Sequence, residues 1–152
     1  MALVATVQLM QAMTFRANTA SGHEVILDAS PDVGGSGAGA TPIELLMASL
    51  GGCTGMDVIS VLRKMRQDVT GYEVRVSGDR APEHPKIFTS IQVEHVVRGR
   101  KLSEQMVKRA VELSATRYCP AAAMLGRAAR IEDLYRIIDE DSGQERVGIL
   151  NP

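Results

Sequence analysis

The chain has 152 residues, 45% of them hydrophobic, and a formal net charge of −1. That is one domain's worth of core, a single domain over residues 1–152, and it gives no electrostatic case for nucleic acid or an anionic membrane as partner. Aromatic residues make up only 3% and tryptophan is absent, so base-stacking surfaces are excluded and core bulk has to come from aliphatic side chains and methionine.

The segment Met1–Gln8 has neither a basic leader nor a long apolar run. No stretch reads as the roughly 20 apolar residues of a membrane span, and a cytoplasmic protein is expected. From residue 3 to 17 the sequence alternates, with Leu3, Ala5, Val7, Leu9, Met13 and Phe15 on one face, which predicts a half-buried strand. After Ala20-Ser21-Gly22 the chain returns through His23–Asp28 as the second arm of a hairpin. Asp32–Ala40, rich in glycine, is a loop.

Thr41 opens the best-marked helix: it is a natural N-cap, Pro42 fits the first helical position and Glu44 stands where a capping box needs it. The apolar pattern runs on through Leu45, Leu46, Cys53, Met56, Ile59, Leu62 and Met65, a long central helix of about 25 residues. Gly51 and Gly52 each cost it about 0.5–1 kcal/mol, a sign that a second helix or a ligand comes close. Two strands follow, one through Tyr72, Val74 and Val76, the other from Ile87 to Val97, across the turn Ala81–Pro85. His95 falls on the apolar face as a hydrogen-bonded core histidine. Ser103 caps a second helix, with Leu102 and Val107 as its staple and Met106, Val107, Ala110, Val111, Ser114 and Tyr118 as its inner stripe. Pro120 disfavours a helical Cys119, so this helix breaks and restarts through Ala121–Leu125 until Gly126. A final strand spans Ile131–Ile138, and the polar tail from Asp139 is expected to be loose. The order is ββ-α-ββ-α-β, an α+β domain.

Cys53 and Cys119 are the only cysteines. With three scattered histidines they offer no metal-ligand spacing, and no metal or cofactor is expected. Two thiols on separate helices can serve as a nucleophile and its resolving partner; the competing reading is a pair of small buried hydrophobes. Mid-helix Cys53 gains little from a helix dipole and needs a cation to hold a thiolate, for which Arg16 is the first candidate and Arg117 the second. Cys119, as the cap of the short helix, is the thiol that local physics nominates as the more acidic. Asp57 lies one turn after Cys53, placed either to organise a cation or to pair with Arg63. Met47, Met56 and Met124 are core residues or the lining of a pocket for an alkyl chain.

The segments Thr41-Pro42-Ile43-Glu44-Leu45-Leu46, Gly52-Cys53 and Tyr118-Cys119-Pro120 resemble the OsmC/Ohr family of thiol peroxidases, most closely the YhfA-like branch through Gly51-Gly52-Cys53-Thr54 and Asp57-Val58. The resemblance implies an OsmC-like fold, an intertwined homodimer with active sites at the subunit interface, and reduction of small organic hydroperoxides in oxidative-stress defence, recycled by an external dithiol reductant. On matching positions it assigns Cys53 as peroxidatic and Cys119 as resolving; Arg16, the only arginine before the helix, and Glu44, one position past the family's glutamate, are the accessory candidates. Two positions depart from it. Ile43 stands where peroxidase members carry a glutamate, and the loop Ala29–Ala40 has no arginine. The alternative on the same fold is a protein that binds a small apolar ligand, or senses thiol redox state, without turnover.

Overall fold

The structure, a computed structural model, describes residues 2–150. It is a mixed α+β fold that divides into two compact units, Met1–Leu46 and Met47–Pro152.

In the first unit, β1 (Ala5–Gln11), β2 (Thr14–Thr19) and β3 (Glu24–Leu27) form an antiparallel sheet in that order. The alternation from residue 3 to 17 therefore belongs to two strands. Ala12 takes a positive φ of 47° and turns the chain within two residues, so that Gln11 pairs with Thr14 and Leu9 with Phe15. The sequence carries no glycine, asparagine or proline there to announce the turn. The loop after β3 is organised by Asp28, which is buried. Its carboxylate accepts from Ser36 Oγ at 2.7 Å, from the amides of Ala29, Ser36 and Ala38, and from Thr14 Oγ1. These donors, led by the Ser36 hydroxyl, hold the carboxyl down at about 2.

Helix α1 (Pro42–Lys64) begins in the expected capping box. Glu44 Oε2 accepts from the Thr41 amide at 2.7 Å and from its hydroxyl at 2.9 Å, and the Glu44 amide donates back to Thr41 Oγ1. Contrary to the sequence expectation, α1 is long and apolar enough to cross a membrane by length and composition. One side of it is buried, at Leu50, Thr54, Val58 and Leu62.

The second unit holds a four-stranded sheet in the order β4 (Asp68–Arg80), β5 (Phe88–Arg100), β6 (Arg130–Asp139), β7 (Glu145–Ile149). The β5–β6 pair is parallel and the other two are antiparallel. A parallel pair needs a crossover, which α2 (Glu104–Leu113) and α3 (Pro120–Leu125) supply. The tail after Asp139 is not loose: the Asp139 carboxylate accepts from the amides of Asp141 and Ser142, and the turn sends β7 back along β6. Gly51 and Gly55 seat α1 on a strand rather than on a second helix. A Cβ at Gly51 would lie 3.1 Å from Val76 Cγ2 and one at Gly55 3.2 Å from Val74 Cγ2, whereas Gly52 faces open space.

Two apolar clusters fill this unit. One gathers Val58, Leu62, Val97, Val107, Val111 and Ile137; the other gathers Leu50, Phe88, Ile91, Val93, Cys119 and Ala129, with Cys53 packed against it. His95 is wholly buried, and its Nδ1 lies 2.6 Å from Tyr72 Oη.

Candidate active site

The two cysteines arrive in one apolar cluster from elements distant in sequence. Cys53 is half-buried on α1 and Cys119 is 3% exposed. Pro120 explains the second placement: it cannot continue a helix but starts one well. The chain after α2 first widens into a π-turn, Ser114–Tyr118, closed by the Cys119 amide donating to Ser114 O at 3.0 Å. Cys119 then adopts extended backbone and caps α3, its Sγ accepting from the Ala122 amide at 3.3 Å. The widened turn rotates Tyr118 off the inner stripe, leaving it 46% exposed, and Met106 is also exposed.

The cap does not make Cys119 acidic. Burial outweighs the Ala122 amide, and the neighbouring Cys53 thiol adds to it, so the Cys119 thiol is pushed up to about 11. The expectation that the cap makes Cys119 acidic is thus corrected: the amides of Ala122 and Ala121 lower the thiol, and desolvation of the sulfur is larger.

A buried polar chain joins the two thiol-bearing segments. Ser114 Oγ donates to Asp57 Oδ2 at 3.0 Å and lies 2.7 Å from Thr54 Oγ1. Since Ser114 spends its single proton on the carboxylate, Thr54 is the donor in the shorter bond. Asp57 therefore bonds Ser114, with no ion pair to Arg63. Sequence reasoning placed Ser114 on the apolar stripe; a serine among Val107, Ala110 and Val111 was the available signal for a buried polar partner, and Thr54 gave none.

Arg16 and Glu44 belong to the first unit. Arg16 Nε pairs with Glu24 Oε1 at 3.2 Å, both side chains being well exposed, and Glu44 is occupied by the cap of its own helix, which lowers its carboxyl. Arg117 is exposed, its guanidinium 5.6 Å from the Tyr118 ring centroid.

Two grooves flank α1. An apolar one of about 520 Å³ runs along β4, lined by Met47, Gly52, Gly55, Met56, Tyr72 and Val76. At about 100° per residue, Cys53 points some 200° away from Gly55, so this groove lies on the flank of the helix opposite the thiol. The other, about 540 Å³, is lined by Asp57, Ser60, Lys64, Leu113 and Tyr118. Asp57 is one turn beyond Cys53 and Tyr118 adjoins Cys119, which puts this groove on the thiol side. Met47 packs against the cysteine cluster, while Met56 and Met124 are exposed. Among the described residues no group of histidine, cysteine and carboxylate side chains could hold a metal ion.

Comparison with known proteins agrees with this architecture. The family described as OsmC-like protein matches residues 34–132. Protein YhfA of Escherichia coli (strain K12) is 40% identical over 135 residues, covering 88% of this chain and 97% of YhfA. A hypothetical protein from Aquifex aeolicus VF5 superposes with a TM-score of 0.82 at 29% identity, covering 93% of this chain and 99% of the other. An organic hydroperoxide resistance protein OsmC from Legionella pneumophila shares the fold, with a TM-score of 0.65 at 14% identity over 90% of this chain and 96% of its own. The chain belongs to the OsmC-like family.

Proposed function

We propose that this protein reduces organic hydroperoxides through a two-thiol cycle. The observation that carries the reading is the meeting of Cys53 and Cys119 in one apolar cluster, the first half-buried and the second buried and held protonated. A thiol that stays protonated at neutral pH is a poor first nucleophile, so Cys53 is the attacking residue. Its thiolate displaces alkoxide from the O–O bond; the alkoxide takes up a proton to leave as alcohol, and Cys53 becomes a sulfenic acid. The Cys119 thiol attacks that sulfur, water departs, and a disulfide joins the two. An external dithiol restores both thiols by exchange. Arg16 and Glu44 are the accessory pair in this reading, and the working form is a homodimer. Apolar residues left exposed on α1 and β1, among them Leu46, Met56, Val7 and Leu9, support that assembly.

A second reading, a small-ligand or redox-sensing protein without turnover, is favoured by one feature. Ile43 stands at the glutamate position of the peroxidases, and the carboxylate of Glu44 is committed to Thr41. Rapid mixing of the reduced protein with an alkyl hydroperoxide, followed by mass analysis, separates the two. The peroxidase reading requires stoichiometric alcohol and a Cys53–Cys119 disulfide; alcohol no faster than from free cysteine supports the second.

A further inference from the structure

The chain Thr54–Ser114–Asp57, buried at its two hydroxyls and half-buried at its carboxylate, links the segments that bear the two thiols. Ser114 is wholly inaccessible and Thr54 is 2% exposed. Burying hydroxyls is costly unless each is hydrogen-bonded, and here the protons run in one direction, from Thr54 to Ser114 and from Ser114 to the Asp57 carboxylate, the strong terminal acceptor. Thr54 follows Cys53 directly. Ser114 holds the other thiol through its backbone, because its carbonyl accepts the Cys119 amide that closes the π-turn. Such turns tend to occur at functional sites.

We infer that Ser114 is a positioning residue, whose hydroxyl fixes α1 against the π-turn and thereby sets the geometry in which Cys53 and Cys119 join. This deepens the two-thiol reading and rests on it. Disulfides tolerate a narrow range of Cα separation and dihedral angle, and the side chain of residue 114 reaches α1 while its carbonyl holds residue 119. Removing the hydroxyl leaves Asp57 without its donor and frees the π-turn to shift relative to the helix. The attack of Cys53 on peroxide needs no such register, since it involves one thiol only. The inference therefore separates two steps: bridging depends on the clamp and first oxidation does not.

The test equilibrates the protein with reduced and oxidised glutathione. Protein dithiol and oxidised glutathione yield the Cys53–Cys119 disulfide and two reduced glutathiones, and alkylation with mass analysis reads the equilibrium. Ser114→Ala should lower the equilibrium constant by between about ten- and a hundred-fold, the scale of a misplacement near 1 Å. Thr54→Val, which keeps shape and leaves Ser114 bonded to Asp57, should lower it by less, and Thr54→Ser should restore the parent value. In a Cys119→Ser background, Ser114→Ala should leave the rate of Cys53 alkylation unchanged, a readout that general loosening of the fold would move. If Ser114→Ala fails to fold, the Thr54→Val and Thr54→Ser pair decides the matter. Equal constants for parent and variants overturn the positioning role while leaving the two-thiol cycle standing. A parent that forms no Cys53–Cys119 disulfide in any glutathione ratio overturns both.

Discussion

Tyr72 and His95 are stacked across the β4–β5 pair, their ring centroids 6.1 Å apart and their planes 9° from parallel, with the phenol oxygen 2.6 Å from Nδ1. Burial, with Asp133 and then Asp57 adding to it, raises the Tyr72 phenol, so it keeps its proton and donates to Nδ1. The imidazole proton is then on Nε2, which faces Asp133 Oδ1 at 3.8 Å. Tyr72→Phe leaves Nδ1 buried without a donor, and His95→Phe leaves the phenol without an acceptor. Each should cost about 1–3 kcal/mol, read as a lower urea midpoint at unchanged m-value. A loss below about 0.5 kcal/mol for both would mean that water replaces the bond.

The Cys119 thiol is pushed up to about 11, so in the native protein only a small fraction is thiolate at neutral pH. Iodoacetamide at pH 7 should label Cys53 well before Cys119, and Cys119 labelling should rise with pH until it levels near 11. In denaturant that rise should move down to the ordinary thiol range near 8.5. Preferential labelling of Cys119 at pH 7 would return it to the role of first nucleophile.

Asp28 anchors the glycine loop as an anion. Its folded-state value, about 2, is depressed below the ordinary one near 3.9. The stability this confers is therefore present above about pH 4 and is lost as pH falls through the folded value. Amides of Ser36 and Ala38 should gain hydrogen exchange between about pH 4 and 2, and Asp28→Asn should show the fast exchange already at pH 7. Exchange in that segment independent of Asp28 would show that the loop is held by other contacts.

Local chemistry made several elements legible. Thr41, Pro42 and Glu44 mark the start of α1; Ser103 marks α2, where its hydroxyl accepts from the Met106 amide; and Pro120 marks the break at Cys119. What failed was either unsignalled or non-local. Ala12 turns the β1–β2 hairpin with a residue of no turn preference. The packing of Gly51 depends on Val76 in a strand formed far downstream. At the site, the type and number of the two thiols were visible, but the balance of desolvation against the capping amides at Cys119 was not, since it depends on the cluster of Leu50, Ile91 and Val93 around it. Thr54 and Ser114 meet across 60 positions, and nothing in either neighbourhood alone announces the partner.

The division of labour between the thiols gives a kinetic expectation. Cys53→Ser should abolish peroxide consumption. Cys119→Ser should permit one turnover and then stop as the Cys53 sulfenic acid, trapped by dimedone, because the resolving thiol serves recycling and not the first attack. The reverse pattern would exchange the two roles.

The glutamate missing at Ile43 offers the sharpest test of the peroxidase reading. Ile43 sits in the first turn of α1 and is 37% exposed, so Ile43→Glu should be tolerated and even favoured by the helix dipole, by about 0.3–1 kcal/mol. The competitor for the arginine is Glu24, which pairs with Arg16 Nε at 3.2 Å. If Arg16 is the cation that steadies the Cys53 thiolate, Ile43→Glu should speed oxidation of Cys53 by an alkyl hydroperoxide about ten-fold, equivalent to about 1.4 kcal/mol. Adding Arg16→Gln should erase the gain. A rate unchanged by Ile43→Glu, in a protein whose parent also consumes no peroxide, would place this chain outside the peroxidase branch and leave the binding or sensing reading in its place.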